Sequence, residues 1–282
     1  DYIDAYMGSW GHGRLDNVVV TRGTLSSAIA VKQTRTWNVE IHAKEGMAAN
    51  ETSPSAYAFN RTAMLAGQPA TFQRFTAPDL SGFSFQTLTP TDTDGAQLPP
   101  AGSPIPFIRH IDNEAHSGFT GAGDYLQLWF LDVDWVTPGN STFTAAPTIQ
   151  VTEFDSSLCG LTSFYCIGKP GVAQGNSSSL DPLREPVMFR FAYRNFGDHE
   201  AMVGNLATDV DGANLAGVRW FELRGSDASW SLYQEGTYAL GDGVNRWMGS
   251  IAMDGAGNMA LGYSASDGTS TFPSSWYTGR LA

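Results

Sequence analysis

Short runs of aromatic and β-branched residues alternate with clusters of Gly, Asp, Asn and Pro along most of this chain. Such runs, bounded by turn-forming residues, predict β-strands. One helical turn is predicted at Arg61–Ala66, with Asn60 as its N-cap and Gly67 after its end. The chain is therefore expected to be all-β. The predicted strands are Asn17–Thr21, Ala28–Gln33, Ala56–Asn60, Thr71–Phe75, Tyr125–Val133, Thr148–Glu153, Val187–Tyr193, Ala201–Ala207, Gly217–Leu223, Ser229–Glu235, Trp247–Met253, Asn258–Ser264 and Ser275–Gly279.

The predicted strands group into repeating units. Near the C-terminus, Asp254–Asn258 is rich in Gly and Asn, which accept positive φ, so the strands on either side are predicted to form a hairpin. An earlier unit has four strands, the number in a propeller blade; its members are Met188–Phe196, His199–Ala207, Gly217–Leu223 and Trp230–Gln234. We therefore predict a β-propeller of four-stranded antiparallel blades, about five of them within a range of about four to seven. It is expected to be a single domain over residues 1–282, with the N-terminal segment closing the ring.

Charge and composition narrow the function classes. The 282 residues include 28 Asp and Glu against 16 Lys and Arg, which gives a formal net charge of −12. An acidic chain with no basic run argues against nucleic acid as a partner. No apolar stretch approaches the ~18 residues of a membrane-spanning helix, so no membrane span is expected. Exposed aromatic rings suit contact with sugars, and packing between blades is their competing role; the candidates are Trp10, Trp37, Trp135, Trp230 and Trp276.

Cys159 and Cys166 are the two cysteines of the chain, and they lie close together in a loop-like stretch. We favour a disulfide that closes a small loop, and two free thiols are the alternative. A disulfide is typical of an oxidising compartment. The protein is therefore expected to be secreted, extracellular or attached to a cell surface.

Several longer stretches are distinctive: Tyr57–Arg61, Gln73–Phe75, Leu98–Pro104, Tyr193–Glu200, Arg219–Leu223, Gln234–Tyr238, Arg246–Asp254, Gly257–Ser264, Tyr277–Arg280 and the loop that contains Cys159 and Cys166. They resemble a family of large secreted bacterial proteins described as sialidase-like or BNR-repeat-like β-propellers. The resemblance runs from about Ala56 to the C-terminus, whereas residues 1–50 match poorly. A strict Asp-box is absent, and Ser266–Phe272 matches it only in part. The resemblance implies a propeller fold and an extracellular location, and it carries little information on chemistry.

A sialidase-like enzyme needs arginines that clamp a carboxylate, a Tyr nucleophile activated by Glu, and an acid. Arg219 and Glu222 lie three residues apart on a predicted strand, so they are expected to face opposite sides. The competing interpretation is structural, with Arg194 and Glu222 in a buried ion pair and His199 as a hydrogen-bonded residue at a strand start. The candidate catalytic residues are Arg194, Asp198, His199, Glu200 and Glu222, with Tyr193, Arg219, Arg246 and Asp254 as further members.

Closely spaced carboxylates suggest structural Ca²⁺, which binds clustered oxygen ligands. The candidate ligands are Asp132 and Asp134, and Asp209 and Asp211; Asp92 and Asp94 form a similar pair. The alternative is that these residues form turns. A second candidate metal site is the segment His110–His116, which also contains Asp112 and Glu114, and a solvated loop is the favoured interpretation there.

The function expected from the sequence is a non-catalytic extracellular recognition or scaffold protein, with glycans or other extracellular proteins as partners. The alternative is a sialidase-like glycoside hydrolase that acts on extracellular polysaccharide or glycoconjugate. Carboxylates or arginines gathered at one open site would favour the enzyme.

Overall fold

The computed structural model describes residues 39–43, 53–69, 71–82, 88–117, 123–161, 163–184, 186–227 and 229–282. The predicted strands Asn17–Thr21 and Ala28–Gln33 lie outside these residues, and so does the N-terminal segment predicted to close a ring. Over the described residues the chain is mostly β-strand, which confirms the all-β prediction.

Two small sheets come from the first half of the chain. The three-stranded sheet is an antiparallel meander of β1 (Val39–Ala43), β2 (Ser55–Phe59) and β3 (Phe72–Thr76). Helix α1 (Arg61–Leu65) lies between β2 and β3, and the Asn60 side chain accepts a hydrogen bond from the Ala63 amide, as the predicted N-cap requires. The two-stranded sheet pairs β4 (Ser81–Gly82) with β7 (His116–Ser117).

The largest sheet has nine strands. The order along it is β10-β8-β6-β5-β11-β12-β13-β14, and β9 also pairs with β8. Only the β5–β11 pair is parallel among the strand pairs described for this sheet. Its strands are β5 (Thr89–Asp94), β6 (Ile105–Ile111), β8 (Asp124–Asp132), β9 (Thr142–Ala145), β10 (Ile149–Val151), β11 (Phe191–Asn195), β12 (Glu200–Asp209), β13 (Ala216–Ser226) and β14 (Ser229–Tyr238).

The C-terminal sheet is the predicted hairpin followed by a third strand. Its strands are β15 (Asn245–Met253), β16 (Met259–Ser266) and β17 (Ser274–Arg280). In the turn, the Asp254 amide donates to the Asn258 carbonyl, and Gly257 has a φ of 87°, which glycine adopts without steric cost. Two short 3-10 turns, Pro138–Asn140 and Leu158–Leu161, complete the regular structure of the described residues.

The predicted four-stranded blade is present as the antiparallel meander β11-β12-β13-β14. It does not end as a separate blade, because β11 also pairs with β5 and so joins the β5-β6-β8 half of the same sheet. The sheet curls until its last strands, β10 and β14, approach each other. A closed ring of separate blades is not formed among the described residues.

The hydrophobic core occupies both faces of the curled sheet. The inner face, which lines the curl, buries Phe191, Tyr193, Met202, Leu206, Phe221 and Leu223 against residues of β6, β8 and β10. The outer face, with Ala201, Val203 and Val218, packs against β15 and β16. Because side chains alternate along a strand, neighbouring residues of β12 and β13 serve different cores.

Cys159 and Cys166 form a disulfide, as predicted. The loop that it closes packs Leu158, Cys166 and Ile167 against Ala207 and Trp247, so it joins the nine-stranded sheet to the C-terminal sheet.

We expect the double variant Cys159→Ser/Cys166→Ser to lose about 2–3 kcal/mol of unfolding free energy, because the bond restricts the unfolded chain. Urea denaturation measures this loss. An unchanged midpoint, in wild type reduced with dithiothreitol as well as in the variant, would contradict it.

Candidate functional site

The candidate catalytic residues Tyr193 and Glu200 lie together on the inner face. The Tyr193 hydroxyl donates to the Glu200 carboxylate at 2.5 Å, and both side chains are buried. Burial, followed by the bond to Glu200, raises the pKa of the Tyr193 hydroxyl above its usual value. A phenol held protonated in this way is a poor nucleophile at neutral pH.

Glu222 lies on the opposite face of the sheet from Glu200. Glu222 pairs with Val203 of β12, which is three residues along that strand from Glu200. Paired residues share a face and side chains alternate along a strand, so this odd number of residues puts Glu222 and Glu200 on opposite faces. The fully buried Glu222 carboxylate accepts hydrogen bonds from Arg224 at 2.6 Å and from Gln234 at 2.5 Å. Glu222 is therefore in an ion pair with Arg224 on its own strand, and not with Arg194 as the structural interpretation expected.

The candidate arginines are also separated. Arg194 is opposite Ala201 on the outer face and donates to the Met253 carbonyl at 2.9 Å. Arg219 lies on the inner face and Glu222 on the outer face, which confirms that the two residues face opposite sides. Arg219 pairs with Glu235. Arg246 makes two hydrogen bonds to Asp242, at 2.9 and 2.7 Å. Each guanidinium is thus bound to a different partner, and these arginines do not form a shared clamp.

The Asp198 carboxylate and the His199 ring are hydrogen-bonded at 2.8 Å just before β12. The Asp198 side chain is 84% exposed, and the hydrogen bond from His199 lowers its pKa. The His199 ring stacks on Phe196 with centroids 4.7 Å apart. Asp254 lies in the β15–β16 turn, where its carboxylate accepts from the Ala256 and Asn258 amides. The predicted catalytic residues therefore occupy several places and not one site.

The paired aspartates proposed as calcium ligands hold turns. Asp134 accepts from the Val136 and Thr137 amides at 2.8 and 2.7 Å. Asp209 accepts from three backbone amides of the β12–β13 turn, and Asp211 accepts from two. Asp132 is exposed at the end of β8. Asp92 and Asp94 both bind Arg190, at 2.5 and 2.7 Å. Turn formation and ion pairing account for the contacts of these residues.

A different group of carboxylates converges at the other end of β8. One oxygen from each of Asp112, Glu114 and Asp124 lies within 4.8 Å of the others. Asp112 is fully buried and accepts from Ser156 through its amide at 2.7 Å and its hydroxyl at 2.6 Å. Asp124 is fully buried too and accepts from the Asn113 and Phe154 amides. We call these three residues together with the nearby, exposed Glu153 the carboxylate cluster.

Mutual repulsion marks the carboxylate cluster. Burial is the largest cause that raises the pKa of Asp124, and repulsion from the charges of Asp112 and Glu114 adds to it, so that this pKa is about 6. Loss of hydration is the largest cause that raises the pKa of Glu153, and repulsion from Asp124 and Glu114 adds to it, so that this pKa is about 7. The pKa of Asp112 lies below its usual value, because hydrogen bonds from Ser156 and Ala115 outweigh its burial. The histidines beside it, His110 and His116, have pKa values lowered mainly by burial, His110 to about 3.

The raised pKa values of Asp124 and Glu153 predict that the contribution of these two carboxyl groups to stability falls as the pH rises from about 4 to 7. Asp124 and Glu153 bind protons more tightly in the folded than in the unfolded state, so their contribution is present below the unfolded pKa and is lost through the folded pKa. We expect Glu153→Gln to be more stable than wild type at pH 8, by a few tenths to about 1 kcal/mol, and equally stable at pH 4. Urea denaturation at both pH values measures this. Asp132→Asn, at the far end of β8, is the control, and an equal gain in that variant would contradict the prediction.

A shallow groove lies between β10 and β14, where the two edges of the curled sheet approach each other. Its volume is about 330 Å³, at the small end of ligand pockets, which span about 300–1,000 Å³. The floor consists of half-buried apolar side chains, Ala146, Ile149, Trp230 and Leu232, packed on the inner core. The remaining lining residues are Leu128, Pro147, Thr148, Gln150, Ser229 and Ser231.

Trp230 is held in place by its surroundings. Its indole N–H donates to the Asp227 carbonyl at 2.9 Å, and its ring meets the Tyr193 ring edge to face with centroids 6.3 Å apart. Gly225 lies opposite Trp230 in the β13–β14 register. A Cβ at Gly225 would lie 2.8 Å from the Trp230 Cα and 2.1 Å from the Ser229 carbonyl oxygen, so this close approach requires glycine.

One end of the groove is closed by polar contacts between the sheet edges. Glu235 on β14 accepts from the Thr152 amide at 2.9 Å and from the Thr152 hydroxyl at 2.6 Å. Arg219 pairs with Glu235 and also donates to the Thr152 carbonyl at 2.8 Å. We call Thr152, Arg219 and Glu235 the edge clamp. It fixes the separation of β10 and β14 and therefore the width of the groove.

The fold and the groove define this chain as an all-β protein with a curled nine-stranded sheet. Comparisons with protein-family models, curated proteins and solved structures find no match for the chain. Within the part of the chain that the structure describes, no helix is long and apolar enough to cross a membrane.

Proposed function

We propose that this protein is a non-catalytic extracellular recognition protein that binds glycans in the groove between β10 and β14. The observation that carries the proposal is the Trp230 ring, half-buried and fixed in an open groove whose other lining residues are apolar or neutral. Sugar rings pack their apolar faces on aromatic side chains. Hydroxyl and amide groups of Thr148, Gln150, Ser229 and Ser231 are donors and acceptors of the kind that match sugar hydroxyls.

The places of the acidic side chains support binding over catalysis. Glycoside hydrolases place two carboxyl groups on either side of the scissile bond, about 5–10 Å apart. Glu200 and Glu222 are buried on opposite faces of the sheet, and each is occupied by hydrogen bonds. Of the residues that the structure describes, none that lines the groove is acidic. A sialidase-like hydrolase is therefore the alternative, and hydrolysis of chromogenic glycosides that is lost in Glu222→Gln would favour it.

An extracellular location and a propeller fold belong to the same proposal. The disulfide Cys159–Cys166 supports an oxidising compartment. The four-stranded meander β11-β12-β13-β14 has the strand number and connectivity of a blade. The resemblance to secreted bacterial propellers points in the same direction.

Structural Ca²⁺ stays a prediction for this protein. Among the described residues the carboxylate cluster is where acidic oxygens converge, and oxygen ligands are those that Ca²⁺ takes. Thermal unfolding at pH 8 with CaCl₂ and with EGTA tests the prediction. A midpoint that CaCl₂ raises in wild type but not in Glu114→Gln would support it, since Glu114 is one of the three converging carboxylates. Equal midpoints under both conditions would contradict it.

The glycan proposal predicts that Trp230→Ala weakens binding at least tenfold, a loss of about 1.4 kcal/mol or more, because the stacking surface is removed. A glycan array on wild type identifies the ligand, and titration calorimetry measures its affinity. Trp276→Ala is the matched control, since Trp276 is 41% exposed on β17 and lies outside the groove lining. Trp230→Phe keeps an aromatic ring on the core and separates a loss of stacking from a loss of folding. Equal binding by all variants would contradict the proposal.

A further inference from the structure

Among the described residues, those that line the groove between β10 and β14 include no ionisable side chain. These residues are either apolar, such as Ile149 and Leu232, or carry neutral hydroxyl and amide groups, such as Ser231 and Gln150. Sites that recognise the carboxylate or sulfate of an acidic sugar use Arg or Lys, because a bidentate charge-assisted hydrogen bond is the strong interaction with such groups. This lining offers an acidic sugar no such partner.

The charged groups around the groove add to this preference. The cation of the edge clamp, Arg219, is 6% exposed and already paired with Glu235. Beyond the β10 end of the groove lies the carboxylate cluster, since Asp124 is opposite Val151, the neighbour of Gln150. The whole chain carries a formal net charge of −12. Among the described residues, none that lines the groove is a cation, and Arg224, which lies opposite Ser231 on β13, is paired with Glu222. An anionic ligand would therefore approach a chain of net negative charge with no cation in the groove lining to receive it.

The shape of the groove favours a chain over a single buried sugar. It is open to solvent and runs between two strand edges, and Trp230 supplies one flat ring on its floor. An extended glycan can stack one residue on Trp230 and place its neighbours along the strand edges, where hydroxyl and amide side chains lie. A buried pocket for one sugar would instead enclose most of the ligand surface.

We infer that the ligand of the groove is an uncharged glycan chain, and not a sialylated, uronic or sulfated one. The inference rests on the proposed function and deepens it by naming the class of glycan. It separates this chain from a sialidase-like protein, whose ligand carries a carboxylate.

The test titrates wild type with two sets of oligosaccharides at 50 and 500 mM NaCl. The neutral set is cellohexaose, xylohexaose, mannohexaose and laminarihexaose, and the anionic set is sialyllactose, hexagalacturonate and a heparin hexasaccharide. We expect a member of the neutral set to bind with an affinity that changes less than twofold between the two salt concentrations. The anionic set is expected to bind at least tenfold more weakly. Ser231→Lys, which places a cation at the groove, is expected to raise the affinity for the anionic set.

The outcomes separate the inference from the proposed function. Binding of an anionic glycan that Trp230→Ala abolishes, and that weakens tenfold at 500 mM NaCl, would overturn the inference and leave glycan binding intact. If no glycan in either set binds in a Trp230-dependent manner, the proposed function fails and the inference fails with it. Trp230-dependent, salt-insensitive binding of a neutral hexasaccharide supports both.

Discussion

Replacing Phe221 by alanine is expected to lower the free energy of unfolding by about 3–5 kcal/mol. Phe221 is 1% exposed, and its ring lies 6.2 Å from that of Phe191 in the inner core. It also fills the space above Gly204, where a Cβ would come within 2.5 Å of the Phe221 ring. The alanine variant leaves a cavity at the centre of the curl, since the neighbouring strands are hydrogen-bonded on both sides and cannot close on it.

Urea denaturation of Phe221→Ala measures the loss. Phe272→Ala is the matched control, because it removes the same side chain from a position that is 70% exposed; its effect is expected within about 0.5 kcal/mol. Equal losses in the two variants would show that the inner face is not the main core. If Phe221→Ala does not fold, Phe221→Leu keeps most of the volume, and an intermediate loss is expected from it.

The strands were predictable where the pattern of apolar residues determines them. Strands β12 to β16 combine alternation of side chains with strong turn signals, and the Asp254–Asn258 turn sets the register of the C-terminal hairpin. The Cys159–Cys166 disulfide was predictable because short spacing in a loop leaves few alternatives. The way in which the β11–β14 unit joins its neighbours was not predictable from the sequence, because the parallel β5–β11 pair joins segments that are far apart along the chain.

Strand β5 shows why local pattern fails. Its sequence, Thr89–Asp94, has no large apolar side chain, so the segment is absent from the predicted strands and only its acid pair, Asp92 and Asp94, stands out. The Thr89 hydroxyl donates to the Val187 carbonyl at 2.5 Å, and Thr91 donates to the Pro106 carbonyl. Arg190 then neutralises Asp92 and Asp94. Tertiary partners, not periodicity, make this segment a buried strand.

The candidate sites were predictable only in part. Trp230 was among the tryptophans considered for sugar contact, but the groove needs β10 and β14 to meet across the curl, which sequence does not reveal. Likewise, Asp112 and Glu114 were recognised as neighbours in sequence, whereas Asp124 and Glu153 join them only through the fold. Glu200 and Glu222 were assigned to one site, and the strand register that separates them could have been inferred only after β12 and β13 were paired.

The edge clamp predicts the second large effect. Glu235→Ala is expected to cost about 3–5 kcal/mol, because it leaves the Arg219 guanidinium, 6% exposed, without its anionic partner. Burial lowers the pKa of Arg219, and the negative charge of Glu235 partly offsets this by raising it. The variant also removes the acceptor of the Thr152 amide and hydroxyl. Urea denaturation measures the loss. Compared with wild type, the variant is expected to show a larger increase in the amide hydrogen-exchange rate in β10 and β14 than in β12.

Two further variants test whether the loss of stability in Glu235→Ala comes from the unpaired Arg219 guanidinium. Asp198→Ala removes an 84% exposed carboxylate and is expected to change stability by less than about 0.5 kcal/mol. The double variant Arg219→Met/Glu235→Leu removes both charges, and we expect it to regain most of the stability lost in Glu235→Ala, since apolar side chains replace a buried ion pair at little cost. A loss below about 1 kcal/mol in Glu235→Ala would mean that the clamp does not hold the sheet edges together. The groove would then owe its width to the packing of Ile149 and Trp230 on the inner core alone.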